Sequence, residues 1–318
     1  MTKHVVVGGS GFLGRHLVRA LVARGDSVEV VDLAGGHAFN GMDVRVTITD
    51  VTRADAADFD GIVGNADVVH HHAWTTIPAT ANQDPGADLR DNLGITLGLL
   101  EALKRRGGGR IVFCSSGGTV YGPPRHMPVA EDHPLNPITA YGVSKLSAEK
   151  YLQIYRTLSG IDARVARISN PYGAGQNPER PQGVVSTFVH RALQGRELDI
   201  WGDGLTVRDF IHITDVASAL TTLSSAPSLA SGEMPIFNIG SGEGSDVNSI
   251  LSLVERTLGR ELLVRRFPGR AFDVAANVLD ISKAARVLGW SPSIRLAAGV
   301  AQMIDDLGND RSRLFSSW

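Results

Sequence analysis

"VVVGGSGFLG", residues 5–14, decides the fold. Three valines run into Gly8, and Gly8, Gly11 and Gly14 recur at every third residue. Leu13, Leu17, Ala20 and Leu21 then follow at helical spacing up to Gly25. A strand that turns tightly on glycine into a helix brings the backbone close to a pyrophosphate. The phosphates then sit among the free N–H groups of the helix N-terminus. Phe12 and Leu13 open that helix and are expected, with Gly8 and Gly11, to line a dinucleotide. Asp32 ends the next strand-like run, "SVEVVDL", about 20 residues further on, where a carboxylate meets the adenosine ribose. An acid there accepts from the 2′-OH of NAD and repels the 2′-phosphate of NADP. Leu33 comes next and no arginine follows until Arg45, so NAD is the expected cofactor. Asp50 and Val51, after the third strand, are placed to frame the adenine.

Outward from the loop the alternation continues. "DVRVTITD", "ADVVHHHAW" and "GRIVFCSS" read as strands, as does the later "ARVARISN". Helices are expected around Leu89–Arg106 and across "LNPITAYGVSKLSAEKYLQIYRTLSG", which has a Pro-rich entry and Gly160 at its exit. Continuous β-branched runs between helices predict an α/β fold, a doubly wound parallel sheet of the Rossmann kind, over residues 1–170. After about residue 171, loops such as "PYGAGQNPERPQG" predict a smaller C-terminal α/β substrate-binding lobe over 171–318. Segments near 207–242 are expected to return to the first domain.

Bulk composition narrows the function classes. The 318 residues are 43% apolar, enough for a real core, and the formal net charge is −2 with both signs interspersed. No basic stripe suits nucleic acid or an anionic membrane. Lys104-Arg105-Arg106 precedes three glycines and reads as a charge-complemented helix end. A single Cys114, no signal peptide and no run approaching the ~18 apolar residues of a membrane span predict a soluble cytoplasmic protein. His70, His71 and His72 invite a metal reading, but strand neighbours alternate faces and no Cys or carboxylate completes a ligand set; no metal is expected.

Tyr141 and Lys145 form Y-x-x-x-K on one face of the second long helix. A phenol of pKa about 10 is a poor base at neutral pH, and a neighbouring ammonium favours the phenolate. Lowering it to about 7 takes about 4 kcal/mol. The same lysine can donate to a nicotinamide ribose.

At this point nearly the whole chain resembles the extended short-chain dehydrogenase/reductases, specifically the NAD-dependent nucleotide-sugar epimerases and dehydratases that include UDP-glucose 4-epimerase. "VVVGGSGFLG" is similar to that family's glycine loop, with Val7 where Thr is common. "VVHHHAW" resembles its H-x-A-A signature, with His71 matching the His, Ala73 the first Ala, and Trp74 replacing the last Ala. "DNLGITLGLLEA" with Asn92, "SSGGTVYG" and "AYGVSK" follow in family order. The resemblance implies that His71, Ala73 and Asn92 belong to the cofactor site. "SNPYGAGQ" (Asn170), "IWGDGLTVRDFIHITDVA" (Trp201, Arg208) and "PGRAFDV" (Arg270, Asp273) are similar to the segments that hold a nucleotide diphosphate, with an aromatic under the base.

The implied reaction is C4 epimerisation of a nucleotide sugar through a 4-keto intermediate, with Tyr141 taking the 4-OH proton. A 4-keto-sugar reductase and, more distantly, a non-catalytic NAD-binding regulator are the alternatives. The family also implies a homodimer through the two long helices. Asn277 falls where related enzymes carry a bulky aromatic, which implies room for an N-acetyl group. One departure concerns catalysis. The Ser or Thr expected four residues before Tyr121 is Gly117, and where dehydratases read Thr-Asp-Glu this chain reads Gly117-Gly118-Thr119, so dehydration is not expected. Ser116 is the expected substitute hydroxyl, with Thr119 next or a water in the vacated space, and Gly117→Ser is expected to be tolerated or to improve turnover.

Overall fold

The computed structural model describes residues 1–33, 35–179, 183–228, 235–269 and 274–309. Its first half runs β1 (Lys3–Val7), α1 (Phe12–Ala23), β2 (Ser27–Asp32), β3 (Val44–Ile48), α2 (Ala56–Val63), β4 (Val68–His71), α3 (Pro78–Ala81), α4 (Pro85–Arg105), β5 (Arg110–Ser116), α5 (Ala140–Ser159) and β6 (Asp162–Ile168). The second half continues with β7 (Asn170–Tyr172), α6 (Val184–Leu193), β8 (Leu198–Trp201), β9 (Val207–His212), α7 (Ile213–Ser225) and β10 (Ile236–Ile239). It closes with β11 (Gly244–Asp246), α8 (Val247–Leu258), β12 (Val264–Phe267), β13 (Ala276–Asn277), α9 (Ser282–Leu288) and α10 (Leu296–Asn309).

Seven parallel strands form the main sheet in the order β10-β6-β5-β4-β1-β2-β3. Side chains alternate between its two faces. Val6, Val112 and Cys114 face the core under α1 and α7, while Val5, Val7, Ile111 and Phe113 face the core under α4 and α5. The order reverses between β1 and β4, which opens a crevice at their C-terminal ends. α4 begins four residues before the expected Leu89. Asp84 caps it by accepting from Ala87 N at 2.9 Å, and Pro85 sits at its first position, where no N–H is needed.

The C-terminal part builds a smaller sheet, β11-β9-β13 with β7 on β9, and a β12–β8 pair, packed around Phe188, Ile200, Ile250 and Met303. Within 207–242, β9 lies in this small sheet, α7 packs on α1, and β10 joins the large sheet beside β6. No helix among the described residues is long and apolar enough to cross a membrane.

Candidate active site

The glycine loop is built for close backbone approach. Gly8 has φ +85°, and a Cβ there would lie 2.4 Å from Ala73 N. A Cβ on Gly14 would lie 2.5 Å from Gly8 O, so strand, loop and helix touch through bare backbone. Gly11 caps α1 without a side-chain bond, and no acidic residue occupies the helix's first turn, so the N–H groups at Phe12 and Leu13 are left for an anion. Asp32 stands at the end of β2, where its carboxylate accepts from Ser10 N at 2.8 Å and Leu33 N at 2.7 Å. These features fit the adenosine and pyrophosphate of NAD. Thr49 N donates to Asp32 O at 2.9 Å, which brings the Asp50 turn alongside; Val51 is buried. Hydrogen bonds from Thr52 hold the Asp50 carboxyl below its usual range.

Sequence reading missed Arg15. Its guanidinium folds back to donate to Ser10 O at 3.1 Å, and burial lowers its pKa while Asp32 raises it. No arginine follows Asp32 closely along the chain, yet Arg15 comes near it in space.

Two residues that the resemblance implies for the cofactor site also make buried contacts within the chain. His71 is buried against α4 with Nε2 2.9 Å from Thr96 Oγ1, so it supports β4 from the core. Asn92, also buried, donates to Asp88 O and Oδ1 and accepts from Thr75 N at 2.8 Å. It pins the loop after β4. Ala73 does meet the loop, through its backbone beside Gly8. The three histidines diverge. His70 pairs with His4 at 3.0 Å, His71 turns to Thr96, and His72 lies 3.4 Å from Cys114 Sγ.

α5 is capped by Thr139, which accepts from Gly142 N at 3.2 Å, and carries Tyr141 and Lys145 on one face. Lys145 is buried and its Nζ donates to Cys114 O at 2.8 Å. It sits 3.6 Å from the Trp74 ring centroid and 5.6 Å from that of Tyr141. Burial pulls the ammonium down to about 7, opposed by Cys114, Asp88 and Glu149. Burial also pushes the Tyr141 phenol above its ordinary value, with Cys114 and Asp88 adding to the rise. The expected lysine-driven lowering of the phenol is therefore absent here. Desolvation outweighs the charge, and Nζ bonds a carbonyl.

The loop 113–122 separates its hydroxyls. Ser115 Oγ donates to Glu149 on α5, so it faces away from the crevice, as strand alternation requires. Ser116 is half-buried at the sheet's C-terminal edge. Thr119 Oγ1 is buried without a hydrogen-bond partner among the described residues. The space behind Gly117 is filled. A Cβ there would lie 2.6 Å from Leu279 Cδ1 and 3.2 Å from Arg167 O, so a serine would have to displace the Leu279 side chain, against the expected tolerance. The open position is Gly118, whose Cβ would meet only Ser116 Oγ, at 3.9 Å.

Asn170, Trp201 and Arg208 line one cleft of about 450 Å³, with Phe188 and Arg191. Trp201 stacks on Phe267 at 4.7 Å, and Arg208 donates to Val207 O and Val274 O. Arg191, a second guanidinium that sequence reading missed, pairs with Asp199 at 2.7 Å in the same cleft. Arg270 and Asp273 lie outside the described residues. Asn277 is 3% exposed and its Nδ2 donates to Gly117 O at 3.2 Å. This side chain ties β13 to the loop.

Residues 4–240 match the model of the NAD dependent epimerase/dehydratase family. The chain is 32% identical over 313 residues to a UDP-glucose 4-epimerase of Mycolicibacterium smegmatis, covering 96% of this chain and 99% of that one. It is similar to the Thermotoga maritima UDP-glucose 4-epimerase solved with UDP-glucose (TM-score 0.89, 31% identity, 97% of this chain and 99% of that chain). It is also similar to the Thermus thermophilus UDP-glucose 4-epimerase solved with NAD (TM-score 0.85, 30% identity, 95% and 98%). On this likeness, and on the glycine cradle and Tyr-Lys helix that accompany it, the chain belongs to the NAD dependent epimerase/dehydratase family.

Proposed function

We propose that the protein interconverts UDP-glucose and UDP-galactose, as an NAD-dependent nucleotide-sugar 4-epimerase. One observation carries the reading: the candidate catalytic loop adjoins the cleft. Ser116 pairs in register with Ile168, and Asn170, two residues beyond Ile168, lines the cleft that holds Trp201 and Arg208. A sugar reaching from that cleft toward the β5 edge meets Ser116, then the Tyr141 face of α5.

NAD, when bound, would supply the hydride acceptor for C4 and a positive charge. Gly8, Gly11, Phe12, Leu13 and Asp32 hold its adenosine and pyrophosphate. Tyr141 moves the proton at the sugar O4, Lys145 orients the ribose, and Ser116 donates to the same oxygen. Thr119 has an unmatched hydroxyl for a second contact. Arg208, with Arg270, neutralises the diphosphate, a contact for which a planar guanidinium is suited. Trp201 stacks under the base.

A homodimer accords with the exposed apolar side chains of α4 and α5, which pack against each other and present Leu89, Val143, Ile154 and Leu158 outward. The single buried Cys114 accords with a cytoplasmic setting. The test is direct: purified protein is given UDP-galactose without added reductant, and UDP-glucose is followed, with the co-purifying nucleotide identified by mass spectrometry after denaturation. Conversion with retained NAD supports the proposal. Inert UDP-galactose together with stoichiometric NADH or NADPH consumption on a 4-keto sugar refutes it in favour of a reductase. Sedimentation as a monomer at micromolar concentration refutes the dimer.

A further inference from the structure

Trp74 occupies the position where the H-x-A-A signature ends in alanine, so a small residue has been replaced by the largest one. Its backbone is fixed by its neighbours. Thr75 N donates to Asn92, and Thr76 Oγ1 donates to Asp88. The indole lies 5.7 Å from the Phe113 ring and 6.2 Å from the Tyr141 ring, in an edge-on arrangement with the latter. Lys145 Nζ sits inside these three rings, 3.6 Å from the Trp74 centroid, 4.8 Å from Phe113 and 5.6 Å from Tyr141.

We propose that Trp74 is a positioning residue for Lys145, whose ammonium is kept charged and in place by the indole face in a three-ringed box closed by the Cys114 carbonyl. The proposal rests on the role assigned above to Lys145. A buried ammonium without compensation would shed its proton. The carboxylates nearest to it are already engaged. Glu149 accepts from Arg167 and Ser115, and Asp88 accepts from Ser144, Thr76 and Asn92. The other groups that face Nζ are neutral or raise the cost. His71 at the end of β4 and His72 just after it are held neutral by burial, and the Cys114 thiol and Tyr141 phenol both stay protonated. What remains in direct contact is the π-face of Trp74, the strongest of the aromatic partners for a cation and one whose attraction grows on desolvation.

The test reads the lysine itself and needs no turnover. The chain has five lysines, so the Cε resonances of [13C]lysine-labelled protein are resolvable, and Lys145→Arg assigns the one of interest. Titrations of wild type, Trp74→Phe and Trp74→Leu are compared at equal NAD occupancy. Trp74→Leu should lower the Lys145 midpoint by about one pH unit, and Trp74→Phe, with a weaker quadrupole, by less. If Trp74→Leu does not fold, the Phe variant must still titrate below wild type. A midpoint unchanged in both variants, or one that rises, would mean that the indole only fills space. Because the readout is spectroscopic, loss of the epimerase reading leaves it standing: the wild type could fail to convert UDP-galactose and still show the Trp74-dependent midpoint.

Discussion

Two adjacent glycines in the loop 113–122 should respond oppositely to one added methyl group. At Gly117 the new Cβ would lie 2.6 Å from Leu279 Cδ1, about 1 Å inside ordinary carbon contact, and 3.2 Å from Arg167 O. Leu279 is fully buried against Val120, Tyr121 and Val129, and its N–H reaches Asp209, so it yields only by disturbing that cluster. Overpacking of this kind costs about 1–3 kcal/mol. At Gly118 the nearest atom to a new Cβ is Ser116 Oγ at 3.9 Å, and the backbone is outside the left-handed region. Alanine there should stabilise by about 0.4–1 kcal/mol, by restricting the unfolded chain. Taken together, Gly117→Ala and Gly118→Ala should differ by roughly 3–8 °C in unfolding midpoint at the lower temperature sensitivity of a long chain. Scanning calorimetry at equal NAD saturation reads this gap, since bound ligand shifts midpoints by mass action. A Gly117→Ala protein as stable as Gly118→Ala would refute the placement of Leu279 and with it the claim that the cavity behind position 117 is closed.

The remaining expectations are shorter. Ser116→Ala should lower kcat by ~10²-fold with little change in KM, while Thr119→Val is milder; an unaffected Ser116→Ala enzyme means that the loop offers no catalytic hydroxyl there. Calorimetry should find NAD bound and NADP rejected, and Arg15→Ala should weaken NAD binding without admitting NADP; comparable affinities in wild type would show that Arg15 neutralises the 2′-phosphate despite Asp32. Arg167→Met should cost about 3–5 kcal/mol by leaving Glu149 buried and unpaired, and adding Glu149→Leu should restore most of it; a double variant no better than the single one removes the charge as the cause. Burial holds His4 at about 4, whereas the unfolded chain titrates near 6.5. In that window the unfolded state binds more protons, so this stability is complete above about pH 6.5 and is lost as pH falls toward about 4. His4 contributes about 3 kcal/mol of it, and urea midpoints followed across the window should fall less steeply in His4→Gln than in wild type; equal slopes would refute the assignment.

The large sheet was legible because its information is local. Val5, Val6 and Val7 announce a strand buried on both faces, Gly8 and Gly14 announce a turn without room for side chains, and Asp32 follows at a fixed chain distance. The readings that changed depended on contacts that spacing does not encode. Tyr141 and Lys145 share a helix face, as their spacing requires. The depression of the ammonium and the elevation of the phenol come instead from burial in the core. Gly117 looked like a gap because the residue that fills it, Leu279, arrives from the far end of the chain. His71 matched a family position, but strand alternation, which was used to separate Ser115 from Ser116, also turns His71 toward Thr96.

The segment around residues 277–280 gives those distant contacts a common consequence. Asn277 bonds the Gly117 carbonyl, Leu279 packs behind Gly117, and Val129 and Asp280 carbonyls accept from Asn238. Asn238 in turn accepts from Tyr121 OH, which also receives Arg167 Nη1, while Arg167 pairs with Glu149 one turn beyond Lys145. Burial and hydrogen bonding make each step costly to break singly, because any partner removed leaves another polar group unsatisfied. A continuous set of buried bonds therefore runs from α5 through the loop 113–122 to the strand beside Arg208. Movement of the cleft that shifted β13 by even an ångström would drag Gly117 and its neighbour Ser116 with it. The clamp thus holds the backbone next to Ser116, where the chain leaves β5 and two of the following three residues are glycine.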